Sequence, residues 1–314
     1  MRNKIFGLNL DLLKICYETE NTDLLDYLIT LNVGERFDCN EFYLIKIEGK
    51  YYEYVFQIKY NEMGEDRIFG ELKYGVNRND EVSNKHTNGK RKVWISLNNR
   101  VLYSDELHYL PYISDVIGLE FHNFTAIDLC LDMTKDISKY LKRLLRCKSL
   151  NVILNGKHIR DRSEDRPEIT YISSGNLDKD KYLTVSIKQK KAIKDKSQGS
   201  SLLAYNKKAE IKNSSDKEYI LDYYGNPNTI HRLEVHLNNN EIKDYFNSTR
   251  EELGLGVIFN QDILSRMFFH TLNSLIRFEK DYKIIKWSDI LDRDITTPPA
   301  NSKKAKKKIS KITS

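Results

Sequence analysis

The sequence predicts an α+β protein in which a mostly antiparallel sheet carries the candidate active site and is flanked by helices. Three observations support this fold class. Segments with the period-two alternation of strands recur along most of the 314 residues. Few helical segments lie between them, and the chain shows no internal repeat. Irregular interleaving of strands with few helices is typical of α+β proteins.

Length and composition indicate a folded, soluble chain. Its 314 residues suffice for one large domain or two smaller ones. Hydrophobic residues make up 40% of the chain, charged residues make up 31%, and the mean hydropathy is −0.59. The N-terminus lacks the apolar stretch of a signal peptide, and no segment reaches the length of a membrane span. We therefore expect a cytoplasmic protein without a membrane partner.

Four cysteines are spread widely along the chain, at Cys16, Cys39, Cys130 and Cys147. They form no CxxC pair and show no cysteine–histidine spacing typical of zinc sites. The sequence therefore predicts free thiols in a reducing compartment.

The positive charge is local rather than general. The net charge is +6, and residues 302–314 alone hold six lysines and no acid, so the rest of the chain is formally neutral. A second cluster lies in residues 179–212, which hold ten lysines and three acids. Nucleic-acid binding is therefore predicted from local clusters. The alternative is a solvated loop. The candidate phosphate contacts are Lys188, Lys190, Lys191, Lys194 and Lys208.

The first third of the chain combines helical and strand-like patterns. Residues 9–31 have helical apolar spacing and predict one or two short helices. Residues 42–48 and 51–60 predict two strands joined by a hairpin turn at Gly49-Lys50. The strand pattern continues in 67–76 and 92–98, on either side of a polar loop at 77–92.

The middle of the chain begins with a segment, 104–118, that is helical in parts and interrupted by Pro111. Residues 124–133 then alternate cleanly, with Ile127, Leu129 and Leu131 on one side and Asp128, Cys130 and Asp132 on the other. An amphipathic helix follows over 136–147. Further strands are predicted at 151–159, 168–174, 182–189, 201–207 and 230–238, and closing helices at 239–247 and 261–281.

These segments group into four predicted regions. Residues 1–91 form an N-terminal α+β subdomain, and residues 92–245 form a catalytic domain. Residues 246–295 form a helical region, and the lysine-rich tail 296–314 is expected to be disordered because it cannot bury apolar surface.

Three of the predicted strands offer reactive side chains from their polar faces: Asp128 and Asp132, then Tyr205 with Lys207 just beyond it, then Arg232, Glu234 and His236. Side chains at i and i+2 of a strand share a face about 7 Å apart. If the strands are neighbours, their carboxylates can converge on one Mg²⁺ or Mn²⁺ ion, which prefers oxygen ligands. Such a metal polarises a phosphodiester, and a tyrosine can attack its phosphorus.

The phenol of such a tyrosine titrates near pH 10 when free, so it needs a base, a metal or nearby positive charge at neutral pH. Lys207, Lys208 and Arg232 are the candidate cations. The plainer alternatives are that the acids form a solvated strand face and that Tyr205 serves packing.

The three segments also match a known pattern. FTAIDLCLD, LLAYNKKAEI and HRLEVHLNNNEI, in this order, resemble the Rep_trans family. Its members are replication initiators of small rolling-circle plasmids from Gram-positive bacteria, and relaxases of some conjugative elements are related to them. The resemblance covers about residues 92–245. The chain departs from the family pattern at Ala126 and Leu203, where basic residues are frequent, and at His236, where an acid is frequent.

The resemblance implies a metal-dependent tyrosine DNA nickase and strand transferase. Tyr205 would be the nucleophile that nicks one strand at an origin and forms a 5′-phosphotyrosine link, leaving a 3′-OH to prime synthesis. Asp128, Asp132 and Glu234 would be the metal ligands, for Mg²⁺ or Mn²⁺. The implied partners are double-stranded origin DNA, single-stranded DNA, a second copy of the chain and a host helicase, in a bacterial cytoplasm.

Other functions stay open at this point. A conjugative or mobilisation relaxase would use the same chemistry. An origin-binding initiator without catalytic activity would explain the lysines but not a tyrosine beside acids. An interaction protein with a basic tail would bind no DNA once 302–314 were removed. Nucleases with paired histidines are excluded, since none of the seven histidines lies two positions from another.

Overall fold

The computed structural model describes residues 3–76, 90–158, 168–173, 183–188 and 199–292. Within them, the strands are β1 (Ile5–Thr19), β2 (Arg36–Cys39), β3 (Phe42–Ile47), β4 (Tyr52–Glu62), β5 (Glu65–Val76), β6 (Arg91–Leu97), β7 (Glu120–Met133), β8 (Asn151–Leu154), β9 (Lys157–His158), β10 (Glu168–Ser173), β11 (Leu183–Lys188), β12 (Ser201–Asn206), β13 (His231–Asn238), β14 (Ile276–Lys280) and β15 (Lys283–Ile285).

The helices in the same ranges are α1 (Thr22–Thr30), α2 (Tyr109–Ile117), α3 (Ile137–Arg146), α4 (Lys207–Ser214), α5 (Glu218–Tyr223), α6 (Asn239–Thr249), α7 (Gln261–Leu275) and α8 (Trp287–Asp292). Short 3-10 helices occupy Asn99–Tyr103, Asp105–His108 and Leu255–Phe259.

One large sheet dominates the fold and confirms the predicted α+β class. It has 11 strands in the order β10-β11-β12-β13-β7-β1-β6-β5-β4-β3-β2. Neighbouring strands pair antiparallel throughout. A second sheet of four strands has the order β15-β14-β8-β9. The long strands β1 and β7 therefore pair near the middle of the large sheet.

The helical prediction for residues 9–31 is wrong over its first half. That half belongs to the long strand β1, and only α1 is helical, capped by the Asn21 side chain. A register shift between Leu10 and Leu12 places Leu10 and Leu13, three residues apart, in the core. This bulge mimics helical spacing in the sequence. Pairing with both β6 and β7 decides in favour of the strand.

Two further segments differ from the sequence-based expectation. Pro111 does not interrupt the helix but lies in the first turn of α2, where its missing N–H costs no helical hydrogen bond. The closing helix predicted over 261–281 ends at Leu275, and the following residues form β14, which pairs with β8. Its alternating Ile276 and Phe278 are fully buried in that second sheet.

The large sheet separates an apolar face from a polar one around β7 and β13. On the apolar face, Ile127, Leu129, Leu233 and Val235 are fully buried, as the alternation predicts. Helices α3 and α7 contact β12 and β13. The opposite face carries the ionisable side chains, so the alternation of these two strands positions the candidate site.

The predicted boundary at residue 91 coincides with the start of β6, which pairs with both β1 and β5. The same sheet therefore continues on both sides of residue 91. The division into regions stays a prediction, and the tail beyond residue 292 lies outside the described residues.

The thiols of all four cysteines are free, as predicted, and three of them are buried. In the described ranges, no helix combines the length and the apolar character that crossing a membrane requires.

The predicted β3–β4 hairpin is present, and its turn depends on Gly49. A methyl group at this position would collide with the backbone oxygen of Tyr52 and come within 2.8 Å of Val55 Cγ2. We expect Gly49→Ala to lower the free energy of unfolding by about 1–3 kcal/mol, because the backbone must shift. Gly256→Ala, with nothing within 4 Å, is the control in the same urea titration. Equal stability of both variants would contradict this account of the turn.

Candidate active site

The three strands that carry the predicted site residues are neighbours in the sheet, in the order β12-β13-β7. Tyr205 lies opposite Arg232, and Arg232 lies opposite Asp132. Further along the same face, His236 lies opposite Asp128. The structure thus brings together the polar side chains that the sequence predicted to converge.

A buried guanidinium occupies the centre of this face. Arg232 is 0% exposed, and its Nε and Nη2 donate to the two oxygens of Asp132 at 2.8 and 2.7 Å. Its Nη1 donates to Asp11 Oδ1 at 2.6 Å, and Nη2 also donates to the Tyr103 hydroxyl at 2.7 Å. This fork satisfies the charge with two carboxylates, which a buried arginine requires.

Sequence reasoning missed the residues that complete this network. Asp11 comes from β1, in the segment that was predicted to be helical, and accepts a hydrogen bond from Tyr103 at 2.7 Å. Tyr224, just after α5, donates to Asp132 Oδ2 at 2.9 Å. The one available signal was an acid inside the apolar run LNLDLL. An acid in an apolar segment needs a buried partner, which here is Arg232.

The charge of Arg232 controls the protonation of Asp11. Burial acts to raise the pKa of this carboxyl, but Arg232 and then Lys207 outweigh it, so the pKa lies well below its usual range. Asp11 is therefore ionised at neutral pH and completes the charge balance of the buried arginine.

Tyr205 and Glu234 form a hydrogen-bonded pair at the candidate site. The Tyr205 hydroxyl donates to Glu234 Oε2 at 2.8 Å, and the same oxygen lies 3.9 Å from Arg232 Nη1. Burial raises the pKa of the phenol well above its ordinary value, although Arg232 opposes the shift. Burial also raises the pKa of the Glu234 carboxyl, with Arg232 again opposing. Tyr205 therefore holds its proton at neutral pH, and its hydrogen bond gives that proton a direct path to the Glu234 carboxylate.

Lys207 and Lys208 lie in the first turn of α4, which the Asn206 side chain caps. Lys207 is 2% exposed, and its Nζ lies 5.7 Å from the centre of the Tyr205 ring. It pairs with Glu210 at 2.9 Å. Lys208 Nζ donates to the backbone oxygen of Pro227 at 2.6 Å.

The predicted metal ligands differ in how much of each side chain is exposed to solvent. Asp132 is 0% exposed, and both of its oxygens accept hydrogen bonds from Arg232. Asp128 and His236 are 18% and 24% exposed and contact each other at 2.5 Å between Oδ1 and Nδ1. Glu234 is 12% exposed. Within the described residues, no group of three His, Cys, Asp or Glu side chains is placed to hold a metal ion.

The accessible donors are therefore Asp128, Glu234 and His236. Their carboxylate and imidazole groups suit a divalent ion such as Mn²⁺ or Mg²⁺ by type. Asp132 does not fit this role as it is placed, since binding a metal would require it to release the buried guanidinium.

Of the predicted phosphate contacts in the lysine cluster, Lys188 is exposed at the end of β11, opposite Ser201. Lys190, Lys191 and Lys194 lie outside the described residues.

No protein-family model matches the chain, and no curated protein matches it.

The Asp11–Arg232 pair generates a prediction about stability and pH. We expect Asp11→Asn to lower the free energy of unfolding at pH 7 by about 1–3 kcal/mol, because the buried guanidinium is deprived of one charged partner. The folded-state pKa of Asp11 is depressed. Its contribution is therefore complete above the unfolded pKa of about 3.9 and is lost as the pH falls toward the folded value.

Urea unfolding at pH 7 and at pH 3 measures this effect, with a smaller difference between wild type and Asp11→Asn expected at the lower pH. Asp38→Asn is the matched control, because Asp38 is 68% exposed in its pair with Arg36 and should contribute little. A difference that stays constant with pH would contradict the proposed ionisation of Asp11.

Proposed function

We propose that the protein is a rolling-circle replication initiator that nicks one DNA strand at an origin with Tyr205. The observation that carries this proposal is the hydrogen bond of 2.8 Å from the Tyr205 hydroxyl to Glu234. It lies on a strand face that also holds Arg232, Asp128 and His236. The resemblance of the three strands to the Rep_trans family supports the same reaction.

Proton transfer to Glu234 activates the nucleophile. As the Tyr205 oxygen forms its bond to phosphorus, the phenol proton moves to Glu234 Oε2 and the bond between phosphorus and the 3′-oxygen breaks. The 3′-oxygen takes a proton from water, which leaves a 3′-OH and a 5′-phosphotyrosine. Because the link retains the energy of the phosphodiester, strand closure needs no nucleotide cofactor.

Arg232 acts from beneath the reacting groups. It is fully buried and held by Asp132 and Asp11, so we assign it a positioning role that fixes Glu234 and favours the phenolate. Lys207 lies beside the Tyr205 ring and adds positive charge near the developing phenolate. Both cations thus act on the tyrosine without a contact to the phosphate.

Asp128 and His236 are donors of the types that a divalent ion accepts, and Mg²⁺ or Mn²⁺ held by them would polarise the scissile phosphate and offset its charge, while Glu234 takes the phenol proton. Double-stranded origin DNA and an exposed single strand are the proposed substrates. A second copy of the chain and a host helicase are the proposed partners, in a bacterial cytoplasm.

Clustering of ionisable groups weighs against a purely structural role for this face. Burying charges costs free energy that apolar packing would avoid. Here Asp11, Asp132 and Arg232 are buried or nearly so, with Glu234 beside them. Perturbed pKa values concentrate at functional sites.

A conjugative relaxase would use the same residues and the same bonds. Genomic neighbours distinguish the two functions: a coupling ATPase gene favours the relaxase, and an origin within the gene favours replication.

The first experiment on this function compares wild type with Tyr205→Phe. Supercoiled DNA that carries the protein's own gene is mixed with each protein and with Mn²⁺ or Mg²⁺. We expect wild type to give open circles with protein bound to the 5′ end, and Tyr205→Phe to reduce the rate at least about a thousandfold. Tyr282→Phe, which alters a tyrosine that is 98% exposed, is the control. Equal nicking by Tyr205→Phe would exclude this nucleophile.

A second experiment tests Glu234 as the base. Since the pKa of Glu234 is raised, the nicking rate of wild type should increase with pH through a range above that of an ordinary glutamate, as the carboxyl loses its proton. Glu234→Gln should lower the rate about 100-fold or more and abolish this limb of the profile. Asp244→Asn is a control with an exposed carboxyl. An unchanged profile in Glu234→Gln would contradict the base assignment.

A further inference from the structure

A second surface carries a concentration of positive charge that the proposed reaction does not use. Five cations line an open groove of about 830 Å³ along the outer side of α3 and the residues just before it: Lys135, Lys139, Lys142, Arg143 and Arg146. Asp136 is the one acid in the lining, and Cys147 completes it. The groove therefore carries a strong excess of positive charge.

The apolar side of α3 is fully used in the core. Ile137, Tyr140, Leu141 and Leu144 are each 0% exposed. With 3.6 residues per turn, the charged positions 139, 143 and 146 then share the outward side of the helix. Lys139, Arg143 and Arg146 are all exposed.

Several of these cations are held in place by aromatic rings. The Arg143 guanidinium lies 5.5 Å from the centre of the Tyr140 ring, and the Arg146 guanidinium lies 5.7 Å from that of Tyr171 on β10. Lys135 Nζ lies 3.4 Å from the centre of the Tyr140 ring and donates to the backbone oxygen of Ile290 at 2.8 Å. The groove thus presents a row of positioned charges on a rigid helix.

The groove lies across the sheet from Tyr205. Asp136, which caps α3, is 3.7 Å from His231. His231 shares the buried apolar face of β13 with Leu233 and Val235, whereas Arg232 and Glu234 point to the face of the active site. A ligand in the groove therefore contacts the protein on the opposite side from the reacting phosphate.

We propose that this α3 groove binds the phosphate backbone of double-stranded DNA. Seven residues of helix separate Lys139 from Arg146, about 10 Å at 1.5 Å per residue. That length matches about three base-pair steps of 3.4 Å. The identity of the polyanion as DNA rests on the proposed function, whereas the charge and shape of the groove do not.

The structure favours a duplex over the other polyanions. The Tyr140 ring is fully buried and the Tyr171 ring is engaged by the Arg146 guanidinium, so neither ring is an open platform on which the bases of a single strand could stack. The apolar residues of α3 lie in the core, so the helix has no apolar side left to enter a membrane surface. A rigid row of cations suits the regular phosphates of a duplex.

The test is a salt titration of DNA binding by the full chain, without divalent ions, so that no cleavage occurs. The probe is a mixed-sequence duplex. The test variant is Lys139→Gln/Arg143→Gln/Arg146→Gln, and the matched control is Lys280→Gln/Lys283→Gln/Lys286→Gln, which removes three exposed charges elsewhere. The charge-preserving variant Lys139→Arg/Arg143→Lys/Arg146→Lys distinguishes loss of charge from loss of packing.

We expect the test variant to bind the duplex at least about tenfold more weakly. Its slope of log K against log salt should be smaller by about 0.9 for each phosphate that the protein no longer neutralises. The control and the charge-preserving variant should bind like wild type, and circular dichroism should show all four proteins folded.

Equally weakened duplex binding in the test and control variants would overturn the proposal. So would unchanged duplex binding by the test variant, and loss of binding to phosphatidylserine-rich vesicles in its place would assign the groove to a membrane surface. Failure of nicking alone would leave the duplex-binding result standing and would instead contradict the proposed function.

Discussion

The buried charge of Arg232 is the constraint on which the rest of the site depends. A guanidinium without access to water must have its donors and its charge satisfied inside the protein, and breaking a buried pair costs about 3–5 kcal/mol. Asp132 and Asp11 meet this requirement from the two strands β7 and β1. Both central strands are therefore fixed relative to β13, and with them the position of Glu234 beside Tyr205.

This network gives the N-terminal strand a direct part in the site. β1 pairs with β7 on one side and with β6 on the other, so the sheet that begins in the first 20 residues continues into the strands that carry the candidate site. The bulge near Leu10 places Asp11 where it can reach Arg232. The strand order thus explains why β1, which lies outside the three matched segments, contributes Asp11 to the candidate site.

The two faces of the sheet carry different proposed activities, the reaction on one face and duplex binding on the other. The polar face of β12, β13 and β7 holds the tyrosine and its carboxylates, where desolvation shifts their protonation. The apolar face is covered by α3, whose outward side carries the basic groove. A duplex held on one side and a reactive strand on the other would separate recognition from chemistry, so each could be changed without disturbing the other.

The sequence by itself determined the α+β class, the alternation of β7 and β13, and the set of side chains on their polar faces, because strand periodicity fixes which residues share a face. It also placed Tyr205 and Glu234 in one site, with Tyr205 as the nucleophile and Glu234 as a metal ligand, and both of these roles stay predictions. Only the tertiary structure decided that Tyr205 donates to Glu234, that Arg232 engages Asp132, and that Asp11 joins them. Strand order and bulges arise from contacts between residues distant in the chain, and local spacing does not record them.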